Sequence, residues 1–430
     1  GRISRSVSQM EHDEQNGMNP EVIGKYIANI VKKKKPAIVY VASAKYKFLS
    51  LLCKILPAAV REKIVEKVKN NVPLPAFIIF VCTAVSAVLH IAFVKLPAFA
   101  DFFNRYISSV FRTILAKLTT WFPFSLAEAF IIFIPVTFVT VIIWAFRRVK
   151  LSVNAGNRSV VSLISVIAFL YSVFVLNFAA GYSTSPLETK LSLERKDLSA
   201  DDLRYAADYL ISEMNSLDDK IKFDYASLSE MPYSNSEMID KLNDAYEKAY
   251  DKYAFIAPLR ASVKQVALSE LMTYTHISGV YSFFTGEANI NVNYPDFVLP
   301  YTAAHEMAHQ RGIAREKEAN FVAYLVCMES DDDYIRYSAY LNMYEYIISA
   351  LSKADKELYT QTVKNLDTDI RYELAAYSDF FDKYRDSKAS TVSETINNTY
   401  LTIQGTEGTK SYGMVVDLFV AYLKQQQSGQ

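Results

Sequence analysis

Three stretches of the chain carry apolar side chains at almost every position: "PAFIIFVCTAVSAVLHIAFV" (75–94), "FSLAEAFIIFIPVTFVTVIIWAF" (124–146) and "VVSLISVIAFLYSVFVLNFAAG" (160–181). A helix needs about 20 such residues to cross a bilayer, and three runs this close together predict three transmembrane helices rather than buried core. Beyond Gly181 the pattern changes to mixed polar and apolar positions. Ser199 and Asp202 form a capping box that opens a helix over "LRYAADYLISEM". "SNSEMIDKLNDAYEKAYDKY" starts another, and "SVKQVALSELMTYTHISG" reads as a third helix ending at Gly279. "EANINVNYPDF" alternates between Gly286 and Pro295, which predicts a short strand. The rest, from "DDYIRYSAYLNMYEYIISAL" to "GMVVDLFVAYLKQ", reads as helical. The expected class is therefore mainly α, with residues 1–74 as a basic N-terminal region, 75–181 as the membrane region and 182–430 as a separate domain.

Charge orients this scheme. Lys32 to Lys35, Lys54, Arg61, Lys63, Lys67 and Lys69 precede the first span, and "RRVK" (147–150) with Arg158 lies between the second and third. Loops rich in Lys and Arg stay in the cytoplasm, so the N-terminus is expected inside and everything after Gly181 outside. The loop "DFFNRYISSVFRTILAKLTTWF" (101–122) then also lies outside, and its aromatics suggest a helix lying in the membrane interface. No cleavable leader is expected, because a long polar segment precedes the first run, and the opening Gly1 suits a trimmed terminus.

Composition adds limits. The formal net charge is zero, which gives no reason to expect a nucleic-acid partner. With 12 glycines and 13 prolines in 430 residues, long helices are favoured over many-turned sheets. Cys53, Cys82 and Cys327 have no Cys-x-x-Cys spacing, so any metal must be held by imidazole and carboxylate.

Such groups occur together in "YTAAHEMAHQRGIAREKEANF" (301–321), which holds two of the chain's five histidines. His305 and His309 are one helical turn apart and leave the same face, a spacing at which two imidazoles can chelate one zinc ion. Glu306 follows about 100° around the helix, close enough to take a proton from a water there without being a ligand. A third ligand must come from beyond Gly312, where a left-handed cap would stop the helix and reverse the chain. On the next helix Glu316 shares a face with Ala319, Asn320 and Ala323, small residues that allow close packing, and helical phase favours it over Glu318 as the ligand. Asn320 is a candidate for orienting an imidazole.

At these residues the sequence resembles a bacterial membrane-protein family catalogued as domain of unknown function 3810. The resemblance rests on "YSFFTGEANINVN", "LPYTAAHEMAHQRGIAREKEANF", "RYSAYL" and "GTKSYGMVVDLFVAYL", and covers the three spans and most of the C-terminal region. It implies a multi-pass membrane protein with a zincin-like α+β domain. Glu316-x-x-Ala319-Asn320 is also similar to the Glu-x-x-Ala-Asp element that supplies the third ligand in gluzincin peptidases. The chain departs in having Asn for Asp and a shorter gap after His309. The metzincin third-ligand position falls on Arg315, which cannot bind zinc.

Weaker candidates are Tyr412 as a donor to a tetrahedral oxyanion, Glu128 near the outer end of span two, and His276, for which a structural role is expected. Tyr301, Tyr337 and Tyr340 are expected to pack. The function expected is a membrane-anchored zinc metallohydrolase, a peptidase on the outer face of the cell membrane. It would use His305, His309 and Glu316 for zinc and Glu306 as the base, with a peptide or protein substrate and membrane lipid as its partners. The alternative is a non-catalytic sensor or assembly protein with a structural or vestigial zinc site. An intramembrane protease is disfavoured, since "HQRGIAREKEAN" is too polar for hydrocarbon.

Overall fold

The computed structural model describes residues 72–151, 153–385, 387–403 and 415–428. The basic segment 1–70, Cys53 and Tyr412 lie outside the described residues. The chain is mainly helical. In order, the principal elements are α1 (Leu74–Lys95), α2 (Ser109–Thr120), α3 (Leu126–Leu151), α4 (Val153–Phe174), α5 (Ala200–Asn215), α6 (Asn235–Lys252), β1 (Val263–Gln265), β2 (Gly279–Ser282), β3 (Glu287–Ile290), α7 (Val298–Gln310), α8 (Glu316–Met328), α9 (Asp333–Ala354), α10 (Thr368–Asp382), α11 (Lys388–Ile403) and α12 (Val415–Ser428). Three helical stretches are long and apolar enough to cross a membrane: Leu74–Lys95, Leu126–Trp144 and Gly156–Tyr182. The last runs on from α4 through a π-helical turn, Val175–Ala179.

Among the described residues, those within 72–78 and 145–163 belong to one compact unit, and those within 79–144 and 164–428 to a second. Described residues of the first are almost wholly helical. The second joins the rest of the long apolar helices to the C-terminal region. Its larger core packs α5, α7, α8, α9 and α12 through Leu210, Ala304, Phe321, Tyr324, Ile347 and Phe419. A smaller core of Phe93, Phe103, Phe174, Phe178 and Ala180 closes on Ala314, just after the histidine motif.

The sheet order is β1-β3-β2, with β1 parallel and β2 antiparallel to β3. Two expectations change here. The helix read over "SVKQVALSELMTYTHISG" is replaced by β1, a short helix at Ser269–Thr273, and β2 beginning at Gly279. Pairing of Val263 with Ala288 and of Gly279 with Ile290 outweighs the local helical pattern. The expected strand is shorter, Glu287–Ile290, and is buried at every position because it is central rather than half-exposed.

The loop helix α2 is built inside out. Arg112, Ala116 and Thr119 are buried, while Val110, Phe111, Ile114 and Leu118 are exposed. Exposed apolar residues on one face fit contact with lipid. The opposite face grips protein: Arg112 donates to the carbonyls of Asn104, Asn177 and Arg311 and to Oδ1 of Asn104. The sheet in turn caps span two, since Glu287 accepts from the backbone N–H groups of Leu126 and Ala127.

Candidate metal centre

The centre begins with a helix ending. α7 stops at Gln310, and Gly312 has φ +92°, the left-handed conformation that glycine adopts without steric cost. Ile313 N–H donates to Ala308 O and Gly312 N–H to His309 O, the two bonds of a Schellman motif. The reversal sets up α8, whose first residue is Glu316. It also brings the Ile313 carbonyl back over α7, where it accepts from Nδ1 of His309 at 2.7 Å. A proton on Nδ1 leaves the Nε2 lone pair of His309 free for a metal.

Both imidazoles converge on one carboxylate. Nε2 of His305 lies 3.3 Å from Glu316 Oε2, and Nε2 of His309 lies 3.5 Å from Oε1. One donor atom from each of the three residues falls within 4.8 Å of the others. Two ligand atoms each about 2.1 Å from one zinc ion, at a tetrahedral angle, stand about 3.4 Å apart, so these donors fit a His–His–Glu zinc site. The centre is enclosed: Phe178, from the end of span three, meets the His309 ring edge-on at 5.9 Å, and Tyr281 of β2 stacks on it at 6.4 Å.

Electrostatics follow from burial in a shared site. Burial alone would lower the pKa of His309, but Glu316 and Glu306 more than reverse this and bring it to about 9. Burial would raise Glu316, yet the two imidazoles hold its carboxyl well below the usual range. Glu306 behaves differently. Burial, opposed by His305 and His309, holds it up at about 7. Its Oε2 has no hydrogen-bond partner among the described residues, nor does Nδ1 of His305. Gly279 of β2 lies so close that a Cβ there would come within 2.7 Å of Glu306 Cγ and Oε1.

The other candidates fall elsewhere. Glu318 turns away from the histidines, pairing with Arg315 at 3.1 Å and accepting from Leu187 N–H. Asn320 is buried, and its carbonyl receives the Tyr301 hydroxyl. Tyr337 and Tyr340 bond Glu373 and Glu213. His276 donates from Nε2 to Tyr384 O, a structural contact. Glu128 accepts from Ala267 and Leu268 N–H, capping the short helix before β2. Sequence reasoning missed Gly279, Phe178, Asn104 and Arg112. Asn104 donates to Gly312 O, so the loop between spans one and two holds the turn that ends the motif helix. Asn104, in the π-helical turn Phe103–Ser108, and Arg112, on the buried face of α2, are polar residues within an aromatic-rich loop, which was the available signal.

The family model described as "Protein of unknown function (DUF3810)" matches residues 103–420. The chain belongs to this family. The match includes the second and third apolar helices, the motif, and the loop helix that grips it; the first apolar helix precedes the matched range, so the match is shorter than the resemblance suggested. No curated protein and no solved structure matches the chain.

Proposed function

We propose that this chain is a membrane-anchored zinc metallohydrolase, a peptidase with a zincin-like site working on the outer face of the membrane. The observation that carries this reading is the convergence of two imidazole Nε2 atoms on one carboxylate, with a second acid, Glu306, beside them whose Oε2 has no hydrogen-bond partner among the described residues. His305, His309 and Glu316 would hold the ion. When bound, zinc supplies Lewis-acid polarisation of a carbonyl and a water acidified to a pKa of about 7. Glu306 is poised to accept a proton near neutral pH and return it to the leaving amine. A purely structural site has no use for such a group. The lysine and arginine bias before span one and after span two puts the N-terminus in the cytoplasm and the centre outside. Contact between Phe178 and His309 keeps the centre close to the end of span three, within reach of substrates at the bilayer surface.

Metal analysis and peptide hydrolysis on the full chain in detergent test this. Zinc should be near one per chain in wild type, in Glu306→Gln and in Glu318→Gln, and lost in His309→Ala and Glu316→Gln. Glu306→Gln should lose hydrolysis by at least about a hundredfold. Full activity in a folded Glu306→Gln protein would sink the mechanism. An empty Glu318→Gln with a loaded Glu316→Gln would reassign the third ligand. Zinc retained by a wild type that hydrolyses no peptide would favour the non-catalytic sensor.

A further inference from the structure

We propose that a cavity beside the metal centre selects a basic side chain of the substrate, with Glu345 as the selecting residue. The inference deepens the peptidase reading and rests on it for the pocket's use. The cavity has a volume of about 260 Å³ and is lined by Tyr294, Glu345, Tyr346, Tyr377, Phe381 and His276, among others. That is room for one long side chain, not for a folded ligand.

The cavity adjoins the centre on two sides. On the Glu306 side its wall includes Ser278, which immediately precedes Gly279, the residue packed against the Glu306 carboxyl. Ser278 Oγ also accepts from Thr302, one turn before Glu306 on α7. On the other side Tyr346 lies near enough to Glu316 and Asn320 to feel both. A substrate reacting between Glu306 and Glu316 would therefore direct a neighbouring side chain into this cavity.

Its chemistry is one acid among aromatic rings. No ion pair to Glu345 is found among the described residues, and burial alone holds its carboxyl up at about 7. His276 has its Nε2 proton committed to the Tyr384 carbonyl. Glu345 is half-buried on the cavity wall. Taking a carboxylate partly out of water without a counter-charge is unfavourable, and an entering guanidinium or ammonium would supply one. Tyr and Phe faces attract a cation, and its methylene stem packs against them.

The test uses full-length protein in detergent and two probes of the same shape, n-butylguanidinium and the neutral n-butylurea, followed by ligand-observed NMR. Wild type should bind the cation at least about tenfold more tightly, the usual worth of a charge-assisted hydrogen bond. Glu345→Gln should abolish the preference, and Glu345→Asp should reduce it, which covers a Gln variant that fails to fold. Equal binding of the probes to wild type, or a preference unchanged in Glu345→Gln, overturns the proposal. Peptides carrying Arg, norleucine or Glu next to the cleaved bond separate the two readings. Hydrolysis without a basic preference removes the pocket and keeps the peptidase. Glu345-dependent cation binding with no hydrolysis of any peptide keeps the pocket and removes the peptidase.

Discussion

The candidate spans Leu126–Trp144 and Gly156–Tyr182 have the same mean hydropathy, yet 6% of the apolar window of the first is buried inside the protein and 28% of the second. The first meets the sheet at its N-terminal end, where Ser125 and Glu287 secure it. The second ends against the histidine motif, through Phe178 on His309 and Gly181 beneath the Gly312 turn. Hydropathy measures affinity for lipid and is blind to this difference. The distinguishing residues are Asn177, Ala179, Ala180 and Gly181, small or polar side chains of the kind that let helices approach protein closely in a membrane.

The contrast breaks most visibly at Arg112, which ties α2 and the end of span three to the motif turn. Arg112→Met removes four hydrogen bonds donated by a buried guanidinium and is expected to cost about 3–5 kcal/mol, read as thermal unfolding of the full chain in detergent. The comparator is Thr140→Val in α3, whose hydroxyl, among the described residues, bonds only the Val136 carbonyl of its own helix. That change should stay within about 0.5 kcal/mol. Equal effects would dissolve the distinction.

Gly181→Val should follow, costing about 1–3 kcal/mol by overpacking. A Cβ there would sit 2.6 Å from the Gly312 carbonyl oxygen and 2.8 Å from Ala314 Cβ. Because that turn carries the acceptor for His309 Nδ1, zinc retention on dialysis should fall as well. A variant that unfolds earlier but holds zinc as wild type does would place the strain outside the centre.

At the N-terminal end of α3, Glu287→Gln removes a buried charge that accepts two N–H bonds of the first turn, worth about 1–2 kcal/mol, and should leave zinc content unchanged. Loss of zinc there would mean that the sheet transmits strain to the motif.

Another effect is a titration. Glu345 has a folded pKa of about 7, above its unfolded value. Its contribution to stability is therefore complete below about pH 4.5 and is lost as pH rises through 7. Metal-free wild type should lose on the order of a few degrees in Tm between pH 5 and 8 that Glu345→Gln keeps. Parallel pH curves for the two proteins would mean that Glu345 meets water more freely than its surroundings imply.

Legibility varied with range. The capping box at Ser199 and Asp202 needs only four residues and forms as read. So does the left-handed turn at Gly312, because glycine alone takes that conformation freely. The segment 262–279 was misread because its apolar spacing suits a helix, while its pairing partner β3 begins beyond it in the chain. Arg112 was passed over because aromatic residues around it dominate the local pattern, and its acceptors lie up to 199 residues away.

What the sequence determined by itself is whatever depends on run length, helical phase or backbone freedom. These are the three apolar helices, the common face of His305 and His309, and the stop at Gly312. Each follows from the geometry of one segment in its solvent. Helical phase already favoured Glu316 over Glu318; tertiary structure decided that its carboxylate meets both imidazoles while Glu318 pairs with Arg315 and Leu187. It also decided that the end of span three walls the centre and that Glu345 faces a cavity beside it. Those outcomes depend on which distant segments meet, and a side chain's neighbours across the core leave no mark on its own stretch of chain.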